Sequence, residues 1–462
     1  MITRNIGVLY QKLIDNQTQY IMPYKSDKPQ GFTYDGYYSW KTSCLLHALN
    51  AYRNGISVSS DLEEHFYNLI KEQDILYNLS SSINSNILLP DGINENFIPR
   101  PHQLVAIEFG KLTNGKFIIA DQQRTGKSYS ALLYALTQEW DKCLIICPAK
   151  VVLVWKAMIS TISNKPINII ETNGKIVNGF NIISYDSLHT IGDKGANITI
   201  ADEGHFFVQK GARRTNAVFE VDSEQKIVLS GTPILNSVYE MTTILDWINP
   251  DFSKEIREFL STYDSISSYE LARGLGKELR KKCLLLRETN QVGDTVEPYI
   301  NYIDIDVKVN DIKNLREVGV ALTNYAVEYL NSFNHKIVIM VYFKEVGNVL
   351  KARLGEKSIL VNGDNSKKQV TEAIEVFKNT DVQFLIGSTV LAEGIDLSFC
   401  NHILLLEESY SMRTDQMRSR CDGIYKSVET TIDILRAKKT QDDRLYAILK
   451  NKYELQDGFR DS

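Results

Sequence analysis

Short apolar runs separated by turn residues and amphipathic stretches dominate the chain between residues 100 and 236: FIIAD from Phe117, CLIICP from Cys143, INIIE from Ile167, FNIISY from Phe180, NITIAD from Asn197 and KIVLSG from Lys226. Runs this short, rich in Ile and Val and lacking a polar alternate face, predict strands covered on both sides, and the intervening helix-like segments such as YSALLYALTQEW from Tyr129 predict crossovers. The pattern is that of a parallel α/β sheet. It lapses over 237–300, which reads as helices with a basic end at ELRKKCLLLR, and returns with YINYIDIDV, HKIVIMVYF, KSILVNG, VQFLIGS and NHILLLEE, a second lobe of the same kind. Residues 1–95 differ: they are rich in Tyr, and SSDLEEHFYNLIKEQ from Ser59 predicts a helix opened by a capping box. The stretches NLSSSINSN, PDG and IPRP read as a linker. The fold class that follows is α/β, two parallel-sheet lobes plus an N-terminal accessory domain. Its domains run over 1–95, 96–300 with a helical insertion at 237–300, and 301–462.

Composition narrows the class. At 462 residues the chain is too long for one ordinary core, and 43% hydrophobic with 24% charged residues is the balance of a soluble globular protein. No apolar run is long enough to span a bilayer, so no membrane partner is expected. The opening MITRNIGVLYQKL lacks the apolar core of a secretory signal, and the six cysteines show no metal-ligand pairing, so reduced thiols and a cytoplasmic location are expected. Cys143 and Cys147 share a strand and read as buried structural thiols. A net charge of −5 argues against coating nucleic acid by bulk attraction and leaves room for a narrow basic groove.

Two segments carry chemistry. The run from FIIAD into QQRTGKS places Arg124, Thr125, Gly126, Lys127 and Ser128 between a strand and a helix. Backbone N–H groups at such a helix start are unsatisfied and partially positive, which suits phosphate. Lys127 is then the cation between β- and γ-phosphates and Ser128 a hydroxyl ligand for Mg²⁺. After NITIA, Asp202 supplies a second magnesium contact and Glu203 the base that orients an attacking water. Either segment alone has a bland reading; in order and at this spacing they indicate ATP hydrolysis with Mg²⁺.

With these segments on the page, the chain from about 98 to 455 resembles the superfamily 2 helicases, and among them the Swi/Snf-like translocases. Arg100-Pro101-His102-Gln103 is similar to the adenine-reading segment, ADQQRTGKS to the phosphate loop, ADEGHFF from Ala201 and LSGTPILNS from Leu229 to the acidic and coupling motifs. GSTVLAEGIDLSFC from Gly387 resembles the fifth motif, with Gly394 and Asp396 at the nucleotide, and DQMRSRCDGI from Asp415 the sixth. The resemblance implies RecA-like lobes, adenine contact by Gln103, and coupling of His205 to Thr232. It implies a DNA track through Lys150, Trp155, Lys156, Tyr185, Lys344 and Thr389, each of which could otherwise be surface or core. Arg213, Arg214, Arg280, Lys281 and Lys282 form further basic clusters with a solvated face as the alternative.

Two departures stand out. Arg124 occupies a position where the family has Gly, so either the loop is reshaped or Arg124 reaches a phosphate. Gly423 stands where the sixth motif has its second arginine, leaving Arg420 as first choice for the arginine finger with Arg413 or Arg418 as substitutes. The resemblance runs further to branch-migration and fork-remodelling helicases of tailed bacteriophages. It implies a monomeric DNA-dependent ATPase in a bacterial or virus-infected cell, acting on forked, branched or duplex DNA beside replication or recombination proteins. A duplex translocase without net unwinding and a nucleotide-gated binding module remain the alternatives.

Overall fold

The computed structural model describes residues 8–14, 17–22, 30–34, 40–89, 92–234, 236–263, 266–293, 298–306, 314–388, 391, 397, 399–406, 429–438 and 440–462. The chain divides into two compact units, one of residues 1–122, 126–287 and 454–462, the other of 123–125 and 288–453. Residues 454–462, which the sequence pattern groups with the second lobe, thus belong to the first unit. No helix among the described residues is long and apolar enough to cross a membrane.

The first unit opens with a small antiparallel sheet of β1 (Tyr10–Ile14), β2 (Gln17–Met22), β3 (Thr33–Tyr34) and β4 (Trp40–Thr42), in the order β1-β2-β4-β3. Two helices follow, α1 (Leu45–Arg53) and α2 (Ser60–Ser80), and their buried Ala48, Leu49, Leu62 and Phe66 pack with Tyr20, Met22 and Phe32 into a core of their own. The helix α2 is where the sequence predicts it, but its capping bond is not made. Ser59 sits extended at the N-cap with its hydroxyl buried and unpartnered. The other face of α1 joins the larger core: His47 stacks on Phe259 at 5.3 Å and meets Thr262 Oγ1 at 3.0 Å.

The main body of this unit is a seven-stranded, wholly parallel sheet in the order β11-β5-β10-β9-β6-β8-β7. Its members are β5 (Lys116–Ile119), β6 (Lys142–Cys147), β7 (Ile167–Ile169), β8 (Gly179–Ser184), β9 (Gly195–Ala201), β10 (Asp222–Leu229) and β11 (Leu284–Leu285). The period of two divides each strand between two cores: Ile118 and Val228 point into one, Phe117, Ile119, Ile227 and Leu229 into the other. Helices α3 (Pro101–Leu112), α4 (Lys127–Leu136) and α5 (Val152–Ile162) cover the second face, which is why the strands read as unbroken apolar runs. Helices Tyr239–Ile248, Pro250–Ser261 and Ser268–Arg280 fill the expected insertion. The run CLLLR, read from sequence as the end of these helices, instead supplies β11, whose Leu284 and Leu285 pair with Ile118 and Ile119.

The second unit carries a six-stranded parallel sheet in the order β12-β17-β16-β13-β15-β14. These are β12 (Tyr299–Ile305), β13 (Ile337–Met340), β14 (Ser358–Val361), β15 (Phe384–Gly387), β16 (His402–Leu405) and β17 (Thr431–Ala437). The central β13, β15 and β16 are buried throughout, whereas the edge β12 alternates exposed and half-buried. Helices Leu315–Leu330, Lys344–Leu354 and Lys367–Asn379 complete the lobe, so both lobes have the α/β architecture that the chain pattern predicts.

Candidate nucleotide site

In the first unit the chemically interesting residues collect at one place, the carboxyl ends of the parallel strands, where open α/β sheets hold ligands. β5 runs into the phosphate loop, β9 into Asp202-Glu203, β10 into Ser230-Gly231-Thr232, and β6 and β8 into Lys150 and Tyr185. Adjacent β5, β10 and β9 bring segments about eighty residues apart together.

The loop makes two left-handed turns before α4. Gly126 has φ 90° and Arg124 φ 67°, so the arginine in the family's glycine position adopts the conformation that glycine would take easily. The loop is therefore not reshaped to avoid it, and the strain is carried locally. Gly126 also has no room for a side chain, since an added Cβ would lie 2.4 Å from Gln103 Nε2. Gln103 is buried and committed to main chain: its Oε1 accepts from Arg100 N–H at 2.9 Å and its amide donates to the Gly126 carbonyl at 3.3 Å. It ties the start of α3 to the phosphate loop.

Half-buried Lys127 donates to the carbonyls of Asp121 at 2.9 Å and Gln122 at 3.1 Å. Burial lowers its pKa, against the attraction of Glu203, Asp121 and Asp202. Asp202 is in the opposite condition. Burial, then the neighbouring Glu203 charge, pushes its carboxyl up to about 7, opposed by the Trp155 hydrogen bond and by Lys127. Glu203 sits left-handed at φ 53°, and its carboxylate lies 3.4 Å from His205 Nδ1 without the angle of a hydrogen bond. His205 Nδ1 and Thr232 Oγ1 are both buried without a hydrogen-bond partner among the described residues, so the expected coupling pair is not bonded.

A magnesium ion fits this donor set. The buried carboxylate of Asp202, whose charge is disfavoured, and the hydroxyl of Ser128, next to the Lys127 that Asp202 attracts, are hard oxygens that would hold Mg²⁺, which would take its remaining ligands from phosphates and water. No group of three or more His, Cys, Asp or Glu residues suited to a metal occurs among the described residues.

The DNA track is only partly on the surface. Lys150 and Lys156 are exposed on and before α5, beside Leu153 at 66% exposure. Lys344 is exposed and ion-paired with Asp364. Trp155 and Tyr185 are corrections: Trp155 lies on the buried face of α5 and Tyr185 just after β8, each enclosed in a core on one side of the sheet, and neither can reach a nucleic acid. Trp155 Nε1 instead donates to Asp202 Oδ2 at 2.8 Å, and the Tyr185 hydroxyl to the Asp202 carbonyl at 2.7 Å. Of the other basic clusters, Arg280 is buried against Tyr77 and Ser80, Lys281 pairs with Glu278 and Arg214 with Asp186. Thr389, Gly394, Asp396, Arg413, Arg418, Arg420 and Gly423 lie outside the described residues.

One polar anchor has no sequence signature. Arg287 and Asp121, both fully buried, are joined through two nitrogens at 3.0 and 2.6 Å, and Arg287 also donates to the carbonyls of His102 and Ser82. This pair pins the beginning of the phosphate loop to the first turn of α3 and to the linker behind α2. A Cys-Leu-Leu-Leu-Arg run shows only an apolar strand with a basic end; what Arg287 meets is decided by the pairing of β11 with β5.

A phosphate loop, an acidic pair at a neighbouring strand end and two parallel α/β lobes define the class of a nucleoside triphosphatase. Residues 112–301 match the SNF2-related domain and residues 320–422 the helicase conserved C-terminal domain. The chain belongs to the Swi/Snf-like branch of superfamily 2 and is a DNA-dependent ATPase of the helicase class. It is 23% identical to the Caenorhabditis elegans SWI/SNF-related matrix-associated actin-dependent regulator of chromatin subfamily A-like protein 1 homolog, over 90% of this chain and 70% of that protein. It is 22% identical to the uncharacterized ATP-dependent helicase YqhH of Bacillus subtilis, over 82% of this chain and 84% of the relative. The match to chicken DNA repair and recombination protein RAD54B is 27% identical over 38% of this chain and spans only 22% of that protein. Among solved structures, the Sulfolobus solfataricus SWI2/SNF2 ATPase core in complex with dsDNA aligns with 80% of this chain and 94% of its own, at TM-score 0.42 and 17% identity.

Proposed function

We propose that this chain uses Mg·ATP hydrolysis to move on DNA and remodel forked or branched substrates. The observation that carries the reading is the convergence of Lys127, Ser128, Asp202 and Glu203 at the carboxyl edge of one sheet. Lys127 leaves its two loop carbonyls to bridge the β- and γ-phosphates, while N–H groups at the start of α4 hold phosphate oxygens. Ser128 and Asp202 would hold magnesium, which would supply charge neutralisation on the transferred phosphoryl group. Glu203, fixed by its left-handed backbone, orients the attacking water. Trp155 and Tyr185 hold Asp202 from its side chain and its carbonyl.

For the substrate, exposed Lys150 and Lys156 give the first lobe a basic approach to a phosphate backbone, and Lys344 does the same in the second. The name of the RAD54B relative, a DNA repair and recombination protein, favours branched intermediates as the working substrate. Arg420 is the proposed arginine finger. The N-terminal sheet with α1 and α2 guides DNA onto the motor. ATP turnover measured on single-stranded, duplex, forked and four-way DNA, with RNA as control, tests this function. Preferential stimulation by forked or four-way DNA is expected, and equal stimulation by blunt duplex makes the chain a duplex translocase.

A further inference from the structure

The helix Gln441–Arg460 ends in the first unit, and its last residues are built into that unit's core. Leu455 and Phe459 are buried among Ile234, Leu275 and Leu279, and Gln456 donates to the Ile234 carbonyl at 3.4 Å. The Tyr77 hydroxyl donates to the Ser462 carbonyl at 2.7 Å, and Tyr269 bonds Asp461 at 2.5 Å. Two glycines make the close approach possible. A Cβ on Gly458 would stand 2.1 Å from the Tyr269 carbonyl, and one on Gly276 would stand 2.3 Å from Ser462 Oγ. A segment held this tightly fixes what its last turn presents.

What it presents is Arg460. The side chain lines a small pocket with Ala120, at the start of the phosphate loop, and with Gly231 and Thr232. Its guanidinium makes no hydrogen bond or ion pair among the described residues; the neighbouring charges are Asp457, one turn back on its own helix, and Lys127, whose ammonium it disfavours. Across the pocket, Thr232 Oγ1 is buried and has no partner. Arg460 and an unsatisfied hydroxyl face one small space at the start of the phosphate loop, within electrostatic reach of Lys127, and form the donor set of an anion site.

We infer that Arg460 binds the terminal phosphate of ATP from within the first unit, completing the site with Thr232 and Lys127. This rests on the ATP reading of the phosphate loop. It gives the motor a second phosphate-contacting guanidinium in a chain whose sixth motif has Gly423 in place of its second arginine. It also makes triphosphate, rather than diphosphate, the nucleotide that engages the end of the closing helix. Lys127 alone would hold the β-phosphate in either case.

The test compares full-length wild type, Arg460→Gln, Arg460→Lys and Lys127→Ala, measuring DNA-stimulated turnover and the affinities for ADP and for a non-hydrolysable ATP analogue. Arg460→Gln should lower kcat roughly 100-fold, as loss of one preorganised donor to a developing anion does. It should weaken the analogue roughly 10-fold while leaving ADP affinity and the melting temperature unchanged. Arg460→Lys, which keeps the charge, should recover part of both losses. Arg460→Gln with normal turnover and an unchanged analogue-to-ADP ratio, while Lys127→Ala is inactive, overturns this inference alone; a gain in turnover also overturns it and makes the helix end a brake. If Lys127→Ala itself still hydrolyses ATP, it is the nucleotide-site reading that fails.

Discussion

Asp202 in the first unit and Asp433 in the second are both acids on parallel sheets, and they are treated in opposite ways. Asp433, 1% exposed, is opposed by burial, yet hydrogen bonds from His402 at 2.6 Å, Tyr329 at 2.6 Å and Asn301 at 3.0 Å outweigh it and hold its carboxyl below the usual range. His402 in turn meets His335 at 2.8 Å. Among the described residues Asp202 has one side-chain donor, the indole of Trp155, and burial wins, pushing it up to about 7. A carboxylate with its lone pairs satisfied is a structural element; one kept short of donors beside a second acid is prepared for a cation. The difference separates a lobe that performs chemistry from packing that keeps its partner lobe folded.

Three substitutions sharpen that contrast, in order of expected effect. Glu203→Gln should cut ATP turnover roughly 10³-fold while nucleotide affinity, measured by titration, stays close to wild type, because Lys127, Ser128 and Asp202 remain. Loss of nucleotide binding would place Glu203 in the phosphate site rather than at the water. Asp433→Asn should leave the nucleotide site untouched but destabilise the second lobe by about 2 kcal/mol at pH 7, since it takes a buried carboxylate acceptor from His402, Tyr329 and Asn301. The folded-state pKa of Asp433 lies below its ordinary value, so this stability is present above about pH 4 and is lost as pH falls through the depressed pKa. Denaturant melts at neutral and acid pH should show the gap between wild type and variant narrowing; a gap independent of pH would assign the loss to packing. Trp155→Phe keeps the ring and removes the donor to Asp202, and should lower turnover roughly 10-fold and raise the Mg²⁺ concentration needed for half-maximal rate. An unchanged Mg²⁺ dependence would mean the indole only fills space.

Much of this was legible in the chain because local pattern and topology agree. The buried parallel strands and the crossover helices follow from apolar runs of four to six residues, and the phosphate loop and acidic pair follow from residue type at strand ends. What was not legible depends on side-chain direction. Trp155 and Tyr185 occupy the family's nucleic-acid segments by sequence, yet the packing of α5 on the sheet and the turn after β8 bring both onto Asp202, and residue type does not show which way a ring points. Arg280 and Arg287, read as a basic end, are buried partners of Ser80 and Asp121 because β11 enters the sheet edge. Arg460 carries no motif at all, and its place at the phosphate loop comes from the packing of Phe459 and two glycines.

The account stands on Lys127. ATP turnover by the full-length wild type and by Lys127→Ala, each at saturating duplex DNA and with melting temperature recorded, addresses it directly. Lys127 is the cation this reading sets between the β- and γ-phosphates, so a folded Lys127→Ala should lose at least ~100-fold in turnover with DNA stimulation abolished. Turnover that stays within about threefold of wild type, less than 1 kcal/mol of barrier, would contradict the placement of ATP at this edge of the first sheet.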